Sequence, residues 1–206
     1  MATAPGEHPL GLSFWRDGLL YIPKSVAARA SAPLFVMLHG GGDRAHQMRY
    51  LFPPAEELGV VVLVPDARDN TWDGIDSRIG PDVVFIDAAL RHTFQRVAID
   101  PTRVAIGGAS DGASYALSLG LANGDLFTHL IAFAPGGIFT PGPTIGRPRI
   151  FVAHGTRDRV LPIDFTSRRM VPQLREAGYD VTYREFDGVH AVPTPIAREA
   201  LEWLTR

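Results

Sequence analysis

Ser110 stands between two glycines in Gly108-Ala109-Ser110-Asp111-Gly112, inside the stretch VAIGGASDGASYALSLG at 104–120. This is the pattern G-x-S-x-G, in which a strand ends, turns sharply and feeds a helix, leaving the serine on the tip. The alternative use of such a serine is as a helix cap. A serine hydroxyl becomes a useful nucleophile only when a base takes its proton and a carboxylate orients that base. Among the histidines after Ser110, His190 lies in the loop sequence FDGVHAVP, whereas His129 starts a predicted strand and His154 ends one. Asp158, in IFVAHGTRDRVLP, follows a strand and is the candidate acid. Asp187, three residues before His190, is its rival. Asp164 is expected to cap the next helix, and Asp66, Asp69 and Asp73 precede Ser110 in a different loop.

A second chemical feature is LFVMLHGGGD at 34–43, an apolar strand running into Gly40, Gly41 and Gly42. Without side chains in the way, backbone N–H groups of such a loop can converge on a developing oxyanion. A phosphate loop is disfavoured because no GK[ST] follows and G-x-G-x-x-G is absent. His39 heads the loop and is expected to brace it. Asp111 places a carboxylate beside this region, where it would oppose a developing negative charge if it faced inward and be favourable if it turned toward its own helix N-terminus. Arg44, Trp72, Ile138 and Phe139 are candidates for pocket walls, with a buried core position the alternative for Trp72.

The elements that must hold these residues are legible as alternating strands and helices. Strands are expected at 11–15 and 19–22, joined as a hairpin through Asp17-Gly18, and at 34–38, 60–64, 103–107, 129–133, 149–153 and 181–186. The inner strands are nearly continuous in Val, Ile, Leu and Phe, as strands covered on both faces should be. Helices are expected at 44–58, 81–97, 111–123, 164–176 and 194–205, with apolar stripes at helical spacing. The alternation predicts an α/β fold with a mostly parallel sheet. At 206 residues with no linker or repeat, one domain is expected.

Composition narrows the function. Apolar residues make up 46% and charged residues 20%, and the formal charge is −2 with no basic run, which argues against nucleic acid as a partner. Cysteine is absent, which excludes disulfides, Cys-ligated zinc and a thiol nucleophile. No His/Asp cluster or HExxH with metal-ligand spacing occurs, so neither a metal nor a cofactor is expected. No apolar run reaches the ~20 residues of a membrane span, and the first residues lack the form of a secretory signal, so a cytoplasmic location is expected.

Taken together, LHGGGD, VLVPDARDNTWDG, DPTRVAIGGASDGASYAL and the pair HGTRDRVLP and DGVHAVP resemble the α/β-hydrolases, in particular small serine esterases of the phospholipase/carboxylesterase and polyhydroxybutyrate depolymerase-like groups. The resemblance implies an eight-stranded sheet with an N-terminal antiparallel hairpin. It also implies Ser110 as nucleophile, His190 as base, Asp158 as orienting acid, and backbone oxyanion donors from Asp111 and the 40–42 loop. The expected function is hydrolysis of a small-molecule carboxylic ester, with a thioesterase or lysophospholipase-type activity, or a non-catalytic binding domain, as the alternatives. The short connection between the strands ending near 133 and beginning near 149 leaves no room for a cap domain.

Overall fold

The computed structural model describes residues 3–73, 80–139 and 143–206. Eight strands form one sheet: β1 (Gly6–Pro9), β2 (Gly18–Ile22), β3 (Ala32–Leu38), β4 (Val61–Pro65), β5 (Ile99–Ala109), β6 (His129–Phe133), β7 (Arg149–Gly155) and β8 (Val181–Phe186). Their order across the sheet is β1-β2-β4-β3-β5-β6-β7-β8. β1 and β2 are antiparallel, as are β2 and β4, and every pairing from β4 to β8 is parallel. The helices are α1 (Phe52–Leu58), α2 (Pro81–Phe94), α3 (Asp111–Ala122), α4 (Ser167–Glu176) and α5 (Thr194–Thr205).

The apolar runs become central strands because both of their faces are covered. Along β3, Leu34, Val36 and Leu38 join a core completed by α2, α3 and α4, while Phe35 and Met37 join a second core completed by α1 and α5. A strand with apolar residues on both sides of the pleat is stable only between two helical layers. The chain leaves β3 toward β4 on one side and returns to β5 on the other, so the strand order reverses between β3 and β5. At such a switch point the loops beyond the strand C-termini splay apart and open a crevice. His39 and Ser110 head the two loops that diverge there, one residue beyond Leu38 and two beyond its partner Gly108.

Three local expectations are corrected. The first strand is Gly6–Pro9 and not 11–15. Asp17 accepts the N–H groups of Gly11, Leu12 and Ser13 at 2.7, 2.9 and 3.2 Å, which folds this segment into a loop and takes those donors away from any ladder. Phe14 and Trp15 project from it into solvent. The segment expected as one helix at 44–58 begins as a 3-10 helix, Ala45–Leu51, and becomes α-helical only at Phe52. Pro53 and Pro54 have no N–H, so they are tolerated in a first turn and not in the middle of a longer helix. In 164–176 the 3-10 turn Ile163–Phe165 precedes α4, and Asp164 makes an ion pair with Arg168 at 2.7 Å instead of capping the helix.

Candidate active site

Ser110 has φ 55 and ψ −119, between the last residue of β5 and the first of α3. Its N–H donates to the Phe133 carbonyl at the end of β6 (2.9 Å), and its carbonyl accepts from Ala113 and Ser114. The backbone is thus held in a region that disfavours a β-carbon by its connections on both sides. The flanking glycines are there for space. A β-carbon on Gly108 would strike the backbone of Gly112 and Ala113, and one on Gly112 would strike the carbonyl oxygens of Leu38 and His39. Gly112 therefore lets α3 start hard against the end of β3, which brings the glycine loop to the serine.

The loop itself is rigidly tied. Buried His39 receives the Ala67 N–H on Nε2 (3.0 Å), so its Nδ1 carries the hydrogen and donates to the Gly40 carbonyl (2.8 Å). Burial holds its pKa below the ordinary value, against the opposing pull of Gly40 O, Asp66 and Asp43, so the ring braces the loop as a neutral group. Trp72 is fully buried, donates Nε1–H to the His39 carbonyl (2.8 Å), stacks on Tyr115 and packs at a tilt against the His39 ring. It supports the loop from behind and is not a substrate wall. Gly42 gives its N–H to Asn70 O (2.8 Å), so this donor is already used. Among the described residues no acceptor engages the N–H groups of Gly40 and Gly41, and the Asp111 N–H, first in α3, has no intrahelical partner. The Asp111 carboxylate accepts the Thr71 hydroxyl at 2.8 Å and fills the place where a Gly41 side chain would be. It faces the two loops, not its own helix N-terminus.

Asp158 and His190 meet although 32 residues apart. Asp158 follows β7, His190 follows β8, and these neighbouring strands bring His190 Nδ1 to 2.6 Å from Asp158 Oδ2. The other carboxylate oxygen accepts the N–H groups of Val160 and Leu161 at 2.8 and 2.9 Å. The Asp158 side chain is inaccessible to solvent. Burial opposes its charge, but the hydrogen bonds from His190, Leu161 and Val160 and the His190 charge outweigh that cost and hold its pKa below the usual carboxylate value. Asp187 points outward and pairs with Arg157 at 2.6 Å.

Ser110 and His190 share a cavity of about 180 Å³ with Gly40, Asp43, Met48, Tyr50 and Phe133. No hydrogen bond joins Ser110 Oγ to His190 among the described residues; such contacts often tighten only when substrate binds. Arg44 is not among the residues lining this cavity and instead lies 3.7 Å from Asp66 and 3.5 Å from the Trp15 carbonyl. Phe139 is half-exposed on the β6–β7 connection and Ile138 packs against the core. Residues 140–142 of that connection lie outside the described residues. A larger recess of about 640 Å³ lies beside Arg68, Asn70, Thr71 and Asp73, where among the described residues there is no histidine, and Asp73 and Asp82 are occupied by backbone N–H groups.

Several participating residues carry only a faint signal in the sequence. Ser114 Oγ accepts the Gly136 N–H (2.9 Å) and Ser118 Oγ accepts the Phe139 N–H (2.7 Å), fastening the β6–β7 connection to α3. Their signal is a pair of serines four apart on an otherwise apolar helix. Met48 and Tyr50, which line the cavity, come from the 3-10 segment after the glycine loop and have no motif.

No protein-family model matches the sequence. A curated acetylxylan esterase from Coprinopsis cinerea is 30% identical over 134 residues, 59% of this chain, and the match spans only 34% of that protein's length. Among solved structures, esterase PE8 superposes with a TM-score of 0.73 at 21% identity, covering 92% of this chain and 97% of its own. The fluorophosphonate-binding serine hydrolase FphF of Staphylococcus aureus superposes with a TM-score of 0.77 at 13% identity, covering 99% and 100%. With the reversed strand order, the antiparallel hairpin and helices on both faces, these likenesses establish that the chain has the α/β-hydrolase fold.

Proposed function

We propose that this chain hydrolyses carboxylic esters with short acyl groups through an acyl-enzyme, with Ser110 as nucleophile, His190 as base and then acid, and Asp158 as the orienting carboxylate. One observation carries the reading: a serine held at φ 55 shares a cavity with an imidazole whose Nδ1 lies 2.6 Å from a buried carboxylate. Asp158 accepts the Nδ1–H of His190, which leaves the Nε2 lone pair free as a base. Ser110 Oγ attacks the ester carbonyl carbon while its proton passes to Nε2. Collapse of the tetrahedral species breaks the C–O bond and expels the alcohol, which takes that proton. Water then attacks the acyl-serine by the same route, releasing the acid and restoring the serine. The N–H groups of Gly40, Gly41 and Asp111 are the donors available to the oxyanion. The reaction uses neither metal nor cofactor. A cavity of about 180 Å³ supports a small acyl group, and the acetyl ester in the name of the curated relative supports the same substrate class. All three side chains rise from one sheet, which supports a single domain.

A fluorophosphonate probe should label the protein and fail on Ser110→Ala, whose turnover of p-nitrophenyl acetate should fall by about 10³ to 10⁶. Asp158→Asn should slow turnover by up to ~10⁴ by favouring the wrong imidazole tautomer, while Asp187→Asn, on an exposed ion pair, should have a mild effect. Rates should decline from acetate to octanoate esters. Labelling and turnover that survive in Ser110→Ala would overturn the reading.

A further inference from the structure

The carboxylate that faces His190 also faces a second histidine, for which the proposed reaction has no use. His154, near the end of β7, is fully buried, and so is Ser167, the first residue of α4. His154 Nε2 lies 3.1 Å from Asp158 Oδ2 and 2.9 Å from the Leu161 carbonyl. Both are acceptors, so Nε2 must carry a hydrogen. His154 Nδ1 lies 2.7 Å from Ser167 Oγ. Burial holds the ring's pKa below the ordinary value, against the pull of Leu161 O and Asp158, so the imidazole is neutral and Nδ1 is a lone pair that the Ser167 hydroxyl fills by donating. Asp158 then receives four N–H groups: those of Val160 and Leu161 on Oδ1, and those of His190 and His154 on Oδ2. A carboxylate has about four such acceptor sites, so it is saturated and cannot rotate without breaking a bond.

We propose that His154 and Ser167 are positioning residues for the Asp158–His190 pair: Ser167 anchors the His154 ring by donating to Nδ1, and the His154 Nε2–H orients the carboxylate and takes a share of its charge. This rests on the assignment of His190 and Asp158 made above. Two consequences follow. The carboxylate is aimed at His190 by a group outside the substrate cavity, so substrate cannot disturb it. Its charge is also divided between two imidazole N–H donors, so its pull on the His190 Nδ1–H is weaker than that of an undivided carboxylate.

Other ionisable groups stand around the cluster, and those on the β7, β8 and α4 side are paired. His154 neighbours Glu185 across the β7–β8 ladder, and Glu185 is held by Arg168 of α4, which also binds Asp164. Arg157 and Asp187 pair at the loop surface, and Asp43 and Tyr50 line the cavity that His190 borders. None of these changes in the variants below.

The test uses ¹⁵N-histidine-labelled protein, because the tautomer of His154 and the titration of His190 are then read without turnover. Wild type should show His154 as the Nε2–H tautomer from pH 6 to 8. Ser167→Ala and His154→Leu should move the titration midpoint of the His190 ring upward by about 0.5 to 1 in pH through the more exposed carboxylate charge. The acidic limb of kcat/KM for p-nitrophenyl acetate should move with it, with kcat reduced about 3- to 10-fold by the loosened geometry. His154→Gln, whose amide N–H reaches the Nε2 position, should restore both. An Nδ1–H tautomer for His154, or a midpoint unmoved in Ser167→Ala, would overturn the proposal. Should His154→Leu fail to fold, Ser167→Ala still decides. An enzyme without Ser110-dependent turnover would refute the esterase reading while the tautomer and midpoint still judged this one.

Discussion

The strain at Ser110 can be weighed without any assay of activity. At φ 55 and ψ −119 its backbone lies outside the regions open to a residue with a β-carbon, a state that costs on the order of 1–3 kcal/mol. Ser110→Ala keeps the β-carbon and therefore the strain, while Ser110→Gly removes it. Glycine gives back about 0.5–1 kcal/mol through the larger freedom of its unfolded chain. Both variants lack Oγ, which makes no hydrogen bond to His190 in the resting site, so its loss cancels in the comparison. The net expectation is that Ser110→Gly is more stable than Ser110→Ala by about 1 kcal/mol, which for a chain of this size raises the melting temperature by roughly 2–4 °C. Ala134, at φ 48 just beyond β6, should respond in the same direction when changed to glycine. Ala113, inside α3, should lose about 1 kcal/mol on the same change because no strain is relieved there. Thermal and urea unfolding of the four variants measures all of this. A Ser110→Gly protein that melts at or below Ser110→Ala would show that the serine is not strained and that its geometry owes nothing to the turn.

Gly112→Ala should be among the most damaging single-methyl additions in the chain, because the atoms in its way are the Leu38 and His39 carbonyls and not a mobile side chain. We expect a loss of about 1–3 kcal/mol in urea unfolding, with esterase turnover reduced more than tenfold because the glycine loop must retreat from Ser110. A variant of normal stability and rate would refute the contact. His129 is buried against Trp203, and burial, with the charges of Arg149 and Arg103, pushes its pKa down to about 4. The unfolded chain therefore binds a proton below about pH 6.5 that the folded chain does not. The stability from the neutral ring is complete above that value and is lost as pH falls toward 4, amounting to about 2 kcal/mol by pH 5. Urea midpoints at pH 7 and pH 5 should differ less in His129→Gln than in wild type, and an unchanged difference would refute the assignment.

What the sequence discloses follows from which interactions are local. The central strands were legible because burial on both faces demands unbroken apolar runs, as in LFVML and VVVLV. The serine turn was legible because only glycine fits where β5, α3 and the end of β3 crowd together, and that need leaves a mark at fixed spacing around Ser110. The first strand was not legible. Gly6–Pro9 is half-exposed and polar at the sheet edge, whereas the apolar 11–15 looks like a strand but has its N–H groups captured by a single side chain, Asp17. A bond between side chain and backbone six residues apart changes neither composition nor period. Trp72 was ambiguous for a similar reason, since a tryptophan in a loop reads alike whether it faces a ligand or, as here, the back of the loop that it supports.

The same distinction governs the candidate site. The chemical groups are marked by residue type, but the groups that aim them are ordinary residues whose role exists only in three dimensions. His39, Trp72 and Asn70 fix the glycine loop; Ser114 and Ser118 fix the β6–β7 connection; Val160 and Leu161 hold the carboxylate by backbone alone. This matters most at Asp111. Its charge stands beside the N–H groups proposed to stabilise an oxyanion, and an unrestrained carboxylate there would weaken the field that those donors provide. Thr71 donates to it at 2.8 Å, which pins the charge on the side of Gly41 away from a free swing into the cavity. Gly41 then has a use separate from catalysis: a side chain there would meet the Asp111 carboxylate in the space into which it is folded and force it to shift. The glycine run thus serves the Gly40 and Gly41 donors on one side and a neighbour's carboxylate on the other, so its sequence satisfies two steric demands that a motif reading merges into one.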